Sequence, residues 1–370
     1  SMLNVIGTKY TRQYQELAMQ SRLKIPLLFG QDVIHGYKTT FPIPLAEAAS
    51  WDMDAIALGA RIAAVEASAS GIHWTFAPMV DIARDPRWGR VMEGAGEDTY
   101  LGSLIAGARV KGFQGAHFGE TNAVMACVKH FAAYGAAVGA RDYNSVDMSD
   151  RQLWEIYLPP FKAALDAGAA SFMNSFNDIN GVPATGNSYL QRTILKGKWG
   201  FKGFVVSDWG SINELVNHGF AKNDYEAAFS AITAGSDMDM ESRSYKNNLE
   251  QLVKDKKVPV ALIDDAVRRI LLKKFELGLF DNPYKFSNVE REKLALNNAS
   301  HTAAARSMAA KSIVLLKNEN NLLPLSKQLK TIAFISLGNA DFFKNQSPFA
   351  HDSISFIAAL LPDFTFSLTS

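Results

Sequence analysis

Short apolar runs alternate with longer stretches of helical periodicity through most of the chain, which is the pattern of an α/β fold. Residues 26–29, 75–79, 124–128, 170–173 and 203–206 read as buried strands, and a weaker one lies near 235–238. Between them, residues 53–70 form an amphipathic stretch closed by Gly71, a residue suited to the left-handed turn that ends many helices. Residues 258–277 repeat that design with Gly278. Ser149, three positions ahead of Gln152, fits a capping box for a helix that Pro159 and Pro160 should break or kink. Successive strands are roughly 30 to 50 residues apart, enough for one crossover helix each.

The polar residues just past each strand distinguish the two ways of arranging such units. Asp32 comes after the first, Asp81 after the second, Lys129 and His130 after the third, Asn174 and Ser175 after the fourth, and Asp208 after the fifth. A doubly wound sheet gathers its polar groups at one switch point. Polar groups at the C-terminal ends of most strands converge only if the sheet closes on itself, so the pattern predicts a (β/α)8 TIM-type barrel. Residues 282–298 are polar, carry Pro283 and read as a linker, and a helix is expected over 302–311. Residues 331–336 are apolar and β-branched, like the first strand of a second α/β unit, but too few residues come after them to bury a core of their own. The division predicted is a barrel domain over 1–298, an interdomain segment over 299–326 and a partial second α/β domain over 327–370.

Composition narrows the function classes. Lys and Arg number 38 against 37 Asp and Glu, so the formal charge is +1, which argues against nucleic acid or an anionic membrane as the main partner. No run approaches the length of a membrane span, and no basic, then apolar leader opens the chain. The single cysteine, Cys127, excludes an intrachain disulfide and a multi-cysteine metal site.

Four motifs carry candidate chemistry. Ser207-Asp208-Trp209 ends a buried run, placing a carboxylate at a strand mouth beside an aromatic face on which a sugar ring can stack, although a residue there can equally cap the next helix. Lys129 and His130 offer two donors for vicinal hydroxyls where their strand ends or twists; a surface lysine and a core histidine are the plainer alternative. No second histidine or carboxylate stands at helical spacing from His130, so neither a metal nor any other cofactor is expected. The stretch from Asp81 to Asp98 interleaves arginines, acids and glycines and reads as a self-bridged loop presenting one free guanidinium or, equally, as a surface ion-pair cluster. It contains no phosphate-binding loop pattern. Gly30-Gln-Asp-Val-Ile-His-Gly36 sets Asp32 just past the first strand, as a hydroxyl acceptor or a cap.

In this order, with Ser312-Ile-Val-Leu-Leu-Lys-Asn318 further on, the motifs resemble glycoside hydrolase family 3, most closely its bacterial periplasmic β-glucosidases, over roughly residues 3–333. The resemblance implies a (β/α)8-type barrel followed by an α/β sandwich, with Asp208 as the catalytic nucleophile. Asp32, Arg90, Lys129 and His130 would grip the sugar, and Trp209 would stack nearby. It implies retaining hydrolysis of terminal β-D-glucosyl residues through a glycosyl-Asp intermediate, with Arg90 and Lys129 holding Asp208 and Asp32 ionised. The expected partner is a small carbohydrate, a β-glucoside, with further copies of the chain as an additional option, in the periplasm or outside the cell. A β-xylosidase of the same family and a sugar-binding barrel without turnover are the alternatives.

Three departures accompany the resemblance. The family's glutamate acid/base belongs to a second domain that is only begun here, and the histidine alternative is missing because the loop after Phe131 reads Ala132-Ala-Tyr-Gly-Ala136, so no acid/base is assigned. The usual first strand and helix precede Leu3, so the barrel is expected to want that element. Phe176 stands where the family has a tyrosine.

Overall fold

The computed structural model describes residues 1–329, and the strand expected over 331–336 lies outside them. The framework is a series of short parallel strands in chain order. β1 (Met2–Leu3) pairs with β2 (Phe29–Gln31), and β2 with β3 (Trp74–Thr75). A bridge from Trp74 to Met125 leads to β4 (Cys127–Phe131), which pairs with β5 (Ser171–Asn174). A small antiparallel hairpin, β6 (Asp178–Ile179) with β7 (Val182–Pro183), stands aside. β5 then pairs with β8 (Phe204–Val206), and Val206 bridges in parallel to Met238.

Both faces of this series are buried, as near-continuous apolar strands require. On one face Leu28, Trp74, Phe76, Cys127, Met173 and Phe204 pack together. On the other, Phe29, Val128, Phe172 and Val205 meet the surrounding helices. Helix Met53–Ala69 lies so close to helix Thr99–Gln114 that a Cβ on Gly112 would come within 2.5 Å of the Ala57 carbonyl oxygen. Among the described residues no helix is long and apolar enough to cross a membrane.

Several local expectations match. Ser149 Oγ accepts from the Gln152 N–H at 3.2 Å, and a new helix, Pro159–Asp166, starts at the proline pair. Gly71 and Gly278 both have positive φ, just past helices Met53–Ala69 and Val260–Glu276.

Others need correction. Residues 282–298 are not a free linker: they contain helix Val289–Leu296, whose charged residues are turned to structural use. Arg291 donates to the carbonyls of Thr121, Ser68 and Phe286, and Glu292 accepts from the Thr8 N–H at 3.2 Å. A polar stretch looks like a linker in sequence whether its charges meet water or unpaired backbone groups. The helix expected over 302–311 begins earlier, at Ala299–Lys311, and buries Ala305 and Met308 against Phe41, Ile56 and Ile62. One compact unit runs from Ser1 to Ile313, and a second comprises Val314–Ser370, of which the described part includes one short turn, Glu319–Asn321. A strand does precede the first one expected from the sequence. β1 is two residues long, too short for any periodic signal.

Candidate active site

The strand ends deliver the candidate side chains. Asp32 is the first residue past β2, and its Oδ1 lies 3.0 Å from Lys129 Nζ. Arg109 holds this loop from below: Nη1 donates to the Ile34 carbonyl at 2.9 Å, while the same guanidinium pairs with Glu47, both side chains being buried. Lys129 and His130 lie within β4, not after it. Strict alternation would send them to opposite faces. The register against β5 shifts between Val128 and Phe131, and the two side chains reach neighbouring points. Lys129 meets Asp32, and His130 Nε2 stands 3.5 Å from Asp208 Oδ2.

Asp208 sits just past β8 in a tight turn. Its Oδ1 accepts the Trp209 N–H at 2.7 Å. Ser207 Oγ donates to the Asp208 carbonyl and accepts from the Met240 N–H, each at 2.9 Å, tying the turn to the neighbouring segment. The next helix is Glu214–Asn217, flanked by Asn213, so Asp208 does not serve as its cap. Asp32 likewise caps nothing; the helix after it is Pro44–Ala48.

The charged loop between Asp81 and Asp98 bridges itself as expected, but its pocket-facing guanidinium is not free. Arg87 pairs with Asp85 at 2.6 Å, and Arg90 forks onto Glu93 at 2.7 and 3.1 Å while lying 5.6 Å over the Tyr134 ring. Trp88, buried, anchors the loop by donating Nε1–H to Asp142 at 3.0 Å.

Asp32, Arg90, Lys129, Asp208 and Trp209 line one cavity of about 310 Å³, at the small end for ligand pockets. His130 stands behind its wall, fully buried. Phe76 and Met173 give the cavity apolar surface, and Glu93 joins through its fork with Arg90. Trp209 is 54% exposed at the rim. Phe176 packs against Tyr134 and Tyr143, with ring centroids 5.8 and 4.4 Å away.

Electrostatics correct one expectation. Lys129 and Arg90 do favour the ionised form of Asp208, but burial outweighs them and pushes its pKa up to about 6. The carboxylate is therefore ionised at neutral pH with little margin. Sequence reasoning also gives no role to Asp81. It is buried, its Oδ2 accepts the His130 N–H at 2.9 Å and lies 2.8 Å from His130 Nδ1, and burial pushes its pKa up to about 7. The only signal is a carboxylate placed directly after a strand at the head of a charged loop, where ion pairing with the arginines is the simpler reading.

Residues 4–272 match the family description Glycosyl hydrolase family 3 N terminal domain. The periplasmic beta-glucosidase of Salmonella typhimurium is 45% identical over 339 residues, covering 90% of this chain and 44% of that protein. A beta-xylosidase of Formosa agariphila is 37% identical over 353 residues, covering 89% and 48%. The crystal structure of beta-glucosidase from Listeria innocua in complex with glucose superposes with a TM-score of 0.86 at 44% identity, covering 89% of this chain and 46% of that one. The chain thus spans less than half the length of each of these three proteins. By the match across most of its compact unit, the chain belongs to glycosyl hydrolase family 3.

Proposed function

We propose that the parallel strands close into a TIM-type barrel and that the cavity at their C-terminal ends takes a terminal β-D-glucosyl residue, which Asp208 receives as a covalent glycosyl ester. The observation that carries this reading is the convergence on one small cavity of Asp208, ionised above about pH 6, with Asp32, Arg90, Lys129 and Trp209. Asp208 attacks the anomeric carbon as the leaving oxygen departs. The ion-paired Asp32 and Lys129 offer an acceptor and donors to sugar hydroxyls, and such hydrogen bonds accelerate the reaction if they strengthen as positive charge develops on the ring. The exposed face of Trp209 offers a platform for the sugar's C–H face. Water then hydrolyses the ester, giving net retention.

A retaining mechanism needs a second carboxyl about 5 Å from the first. The cavity's other two carboxylates are both engaged, Asp32 with Lys129 and Glu93 with Arg90. We place the acid/base on another part of the protein. The similarity to a periplasmic beta-glucosidase supports an exported protein, and the similarity to a beta-xylosidase keeps pentosides as a second substrate class.

The test is intact-protein mass spectrometry after incubation with 2,4-dinitrophenyl 2-deoxy-2-fluoro-β-glucoside and, separately, with the corresponding xyloside. The good leaving group removes the need for an acid, and the fluorine slows breakdown of the ester. A single fluoroglucosyl adduct is expected on the unmodified chain and none on Asp208→Asn. An adduct formed only from the xyloside would transfer the reading to a pentosidase. Absence of any adduct would leave a sugar-binding barrel.

A further inference from the structure

Behind the nucleophile lies a buried chain of three groups. His130 Nδ1 is 2.8 Å from Asp81 Oδ2, and Nε2 is 3.5 Å from Asp208 Oδ2. Nε2, Asp208 Oδ2 and Asp81 Oδ1 are all buried and none makes a hydrogen bond in the protein. Where the protons sit decides whether this chain helps or hinders Asp208.

A neutral imidazole carries one N–H. If Asp81 were ionised, it would accept from Nδ1–H, and the Nε2 lone pair would face the Asp208 carboxylate with nothing to bind it. Asp81 Oδ1 would then be a buried charged oxygen with no donor in hydrogen-bond geometry, the Tyr134 main-chain N–H facing the carboxyl only more loosely, a costly arrangement. With the proton on Asp81 Oδ2, both problems ease together. That O–H donates to Nδ1, the same oxygen still accepts the His130 main-chain N–H, and Oδ1 becomes a neutral carbonyl oxygen. Nε2–H then points at Asp208 Oδ2.

We propose that Asp81 is a positioning residue: as a neutral carboxylic acid it donates to His130 Nδ1 and so fixes the tautomer whose Nε2–H faces the Asp208 carboxylate. The inference rests on Asp208 being the nucleophile, but the tautomer itself does not.

The electrostatic surroundings agree. Burial pushes Asp81 up to about 7 and holds His130 well below the usual histidine range, so at mildly acid pH the proton belongs on the carboxyl and not on the ring as a second N–H. The charged and titratable groups facing the pair are Arg90 and Glu93 from the loop after β3, Lys129 from β4, Tyr134 just past β4, whose ring lies 5.2 Å from that of His130, and Asp208 after β8. Above about pH 7 Asp81 loses its proton, and His130 must turn over to Nδ1–H.

Nitrogen-15 NMR of the histidine-labelled protein reads the tautomer directly, with the His130 signal identified by its loss in His130→Gln. At pH 6 a neutral ring protonated on Nε2 is expected, converting to the Nδ1–H form as pH rises through about 7. An imidazolium or an Nδ1–H ring at pH 6 would overturn the proposal. In Asp81→Asn the side-chain carbonyl can occupy the Oδ2 position only as an acceptor. That variant should hold the Nδ1–H form wherever the ring is neutral and lower kcat on the dinitrophenyl glucoside about 10-fold, the worth of one lost hydrogen bond of roughly 1.4 kcal/mol. Its profile should also lack the wild-type alkaline limb near 7. Retention of Nε2–H, or of full kcat, in Asp81→Asn would equally overturn it. If no form of the protein turns over, the function reading fails while the wild-type spectrum still decides the tautomer; the same spectrum suffices if the variant does not fold.

Discussion

Replacing Asp208 by asparagine is expected to abolish turnover and, at the same time, to make the protein harder to unfold at neutral pH. The first effect comes from the loss of the covalent route: an amide is a poor nucleophile, and removal of a catalytic nucleophile costs about 10⁴-fold or more in kcat. The second comes from the buried carboxyl. Its pKa rises from an ordinary 3.8 to about 6 in the fold. A carboxyl shifted in that direction favours folding while it is protonated, fully so below about 3.8, and that contribution is lost as pH climbs through about 6. At pH 7 the ionised Asp208 therefore works against the folded state by an amount on the order of 2–3 kcal/mol. Asparagine removes the charge and keeps the shape. Thermal unfolding of both proteins at pH 7 and pH 4 measures this: the variant should melt several degrees higher at pH 7, with the gap closing at pH 4. An equal gap at both pH values would show that the charge on Asp208 is not what strains the site.

The second large effect is expected at Arg109, which lines no part of the cavity but holds the loop that does. Arg109→Met should destabilise the fold by about 3–5 kcal/mol, because it leaves the buried Glu47 carboxylate without its counter-charge. It also removes the donor to the Ile34 carbonyl that braces the Asp32 loop. Urea unfolding of the single variant and of Arg109→Met with Glu47→Met separates the two contributions. The double variant should recover most of the stability, since an apolar pair of similar size replaces a buried ion pair at little cost. It should not recover glucoside affinity, because the Ile34 carbonyl stays unbraced. Recovery of both would mean that Arg109 acts only through Glu47.

The sequence is legible where one residue type has one use. Buried strands at 170–173 and 203–206 and the glycines that close long helices stand out because strong apolar runs and positive φ leave few alternatives. Asp32, Lys129 and Asp208 stand out as polar groups at strand ends, Trp209 as the aromatic beside Asp208, and Arg90 only through the family resemblance; the five do share a cavity. The features that escape are decided by partners distant in sequence. Glu292 and Arg291 look like linker charges until Thr8 and Thr121 are seen beside them. Asp81 looks like one more acid in a salt-bridged loop until His130, 49 positions away, is placed against it. For Asp208 the expected direction of pKa shift is the wrong one, because neighbouring lysine and arginine are visible in a sequence, whereas the depth of burial is not.

The placement of Trp209 has a practical consequence. Of the six tryptophans, only Trp51 and Trp209 are more than half exposed, while Trp74 and Trp88 are buried. Water around an indole shifts its emission to the red, so the red edge of the protein's intrinsic fluorescence originates at these two rings. In a Trp51→Phe background that edge belongs mainly to the ring at the cavity rim. If the proposed sugar displaces water from it, the emission is expected to move to shorter wavelength, and the chain would then serve as its own equilibrium binding sensor, needing neither a chromogenic substrate nor turnover.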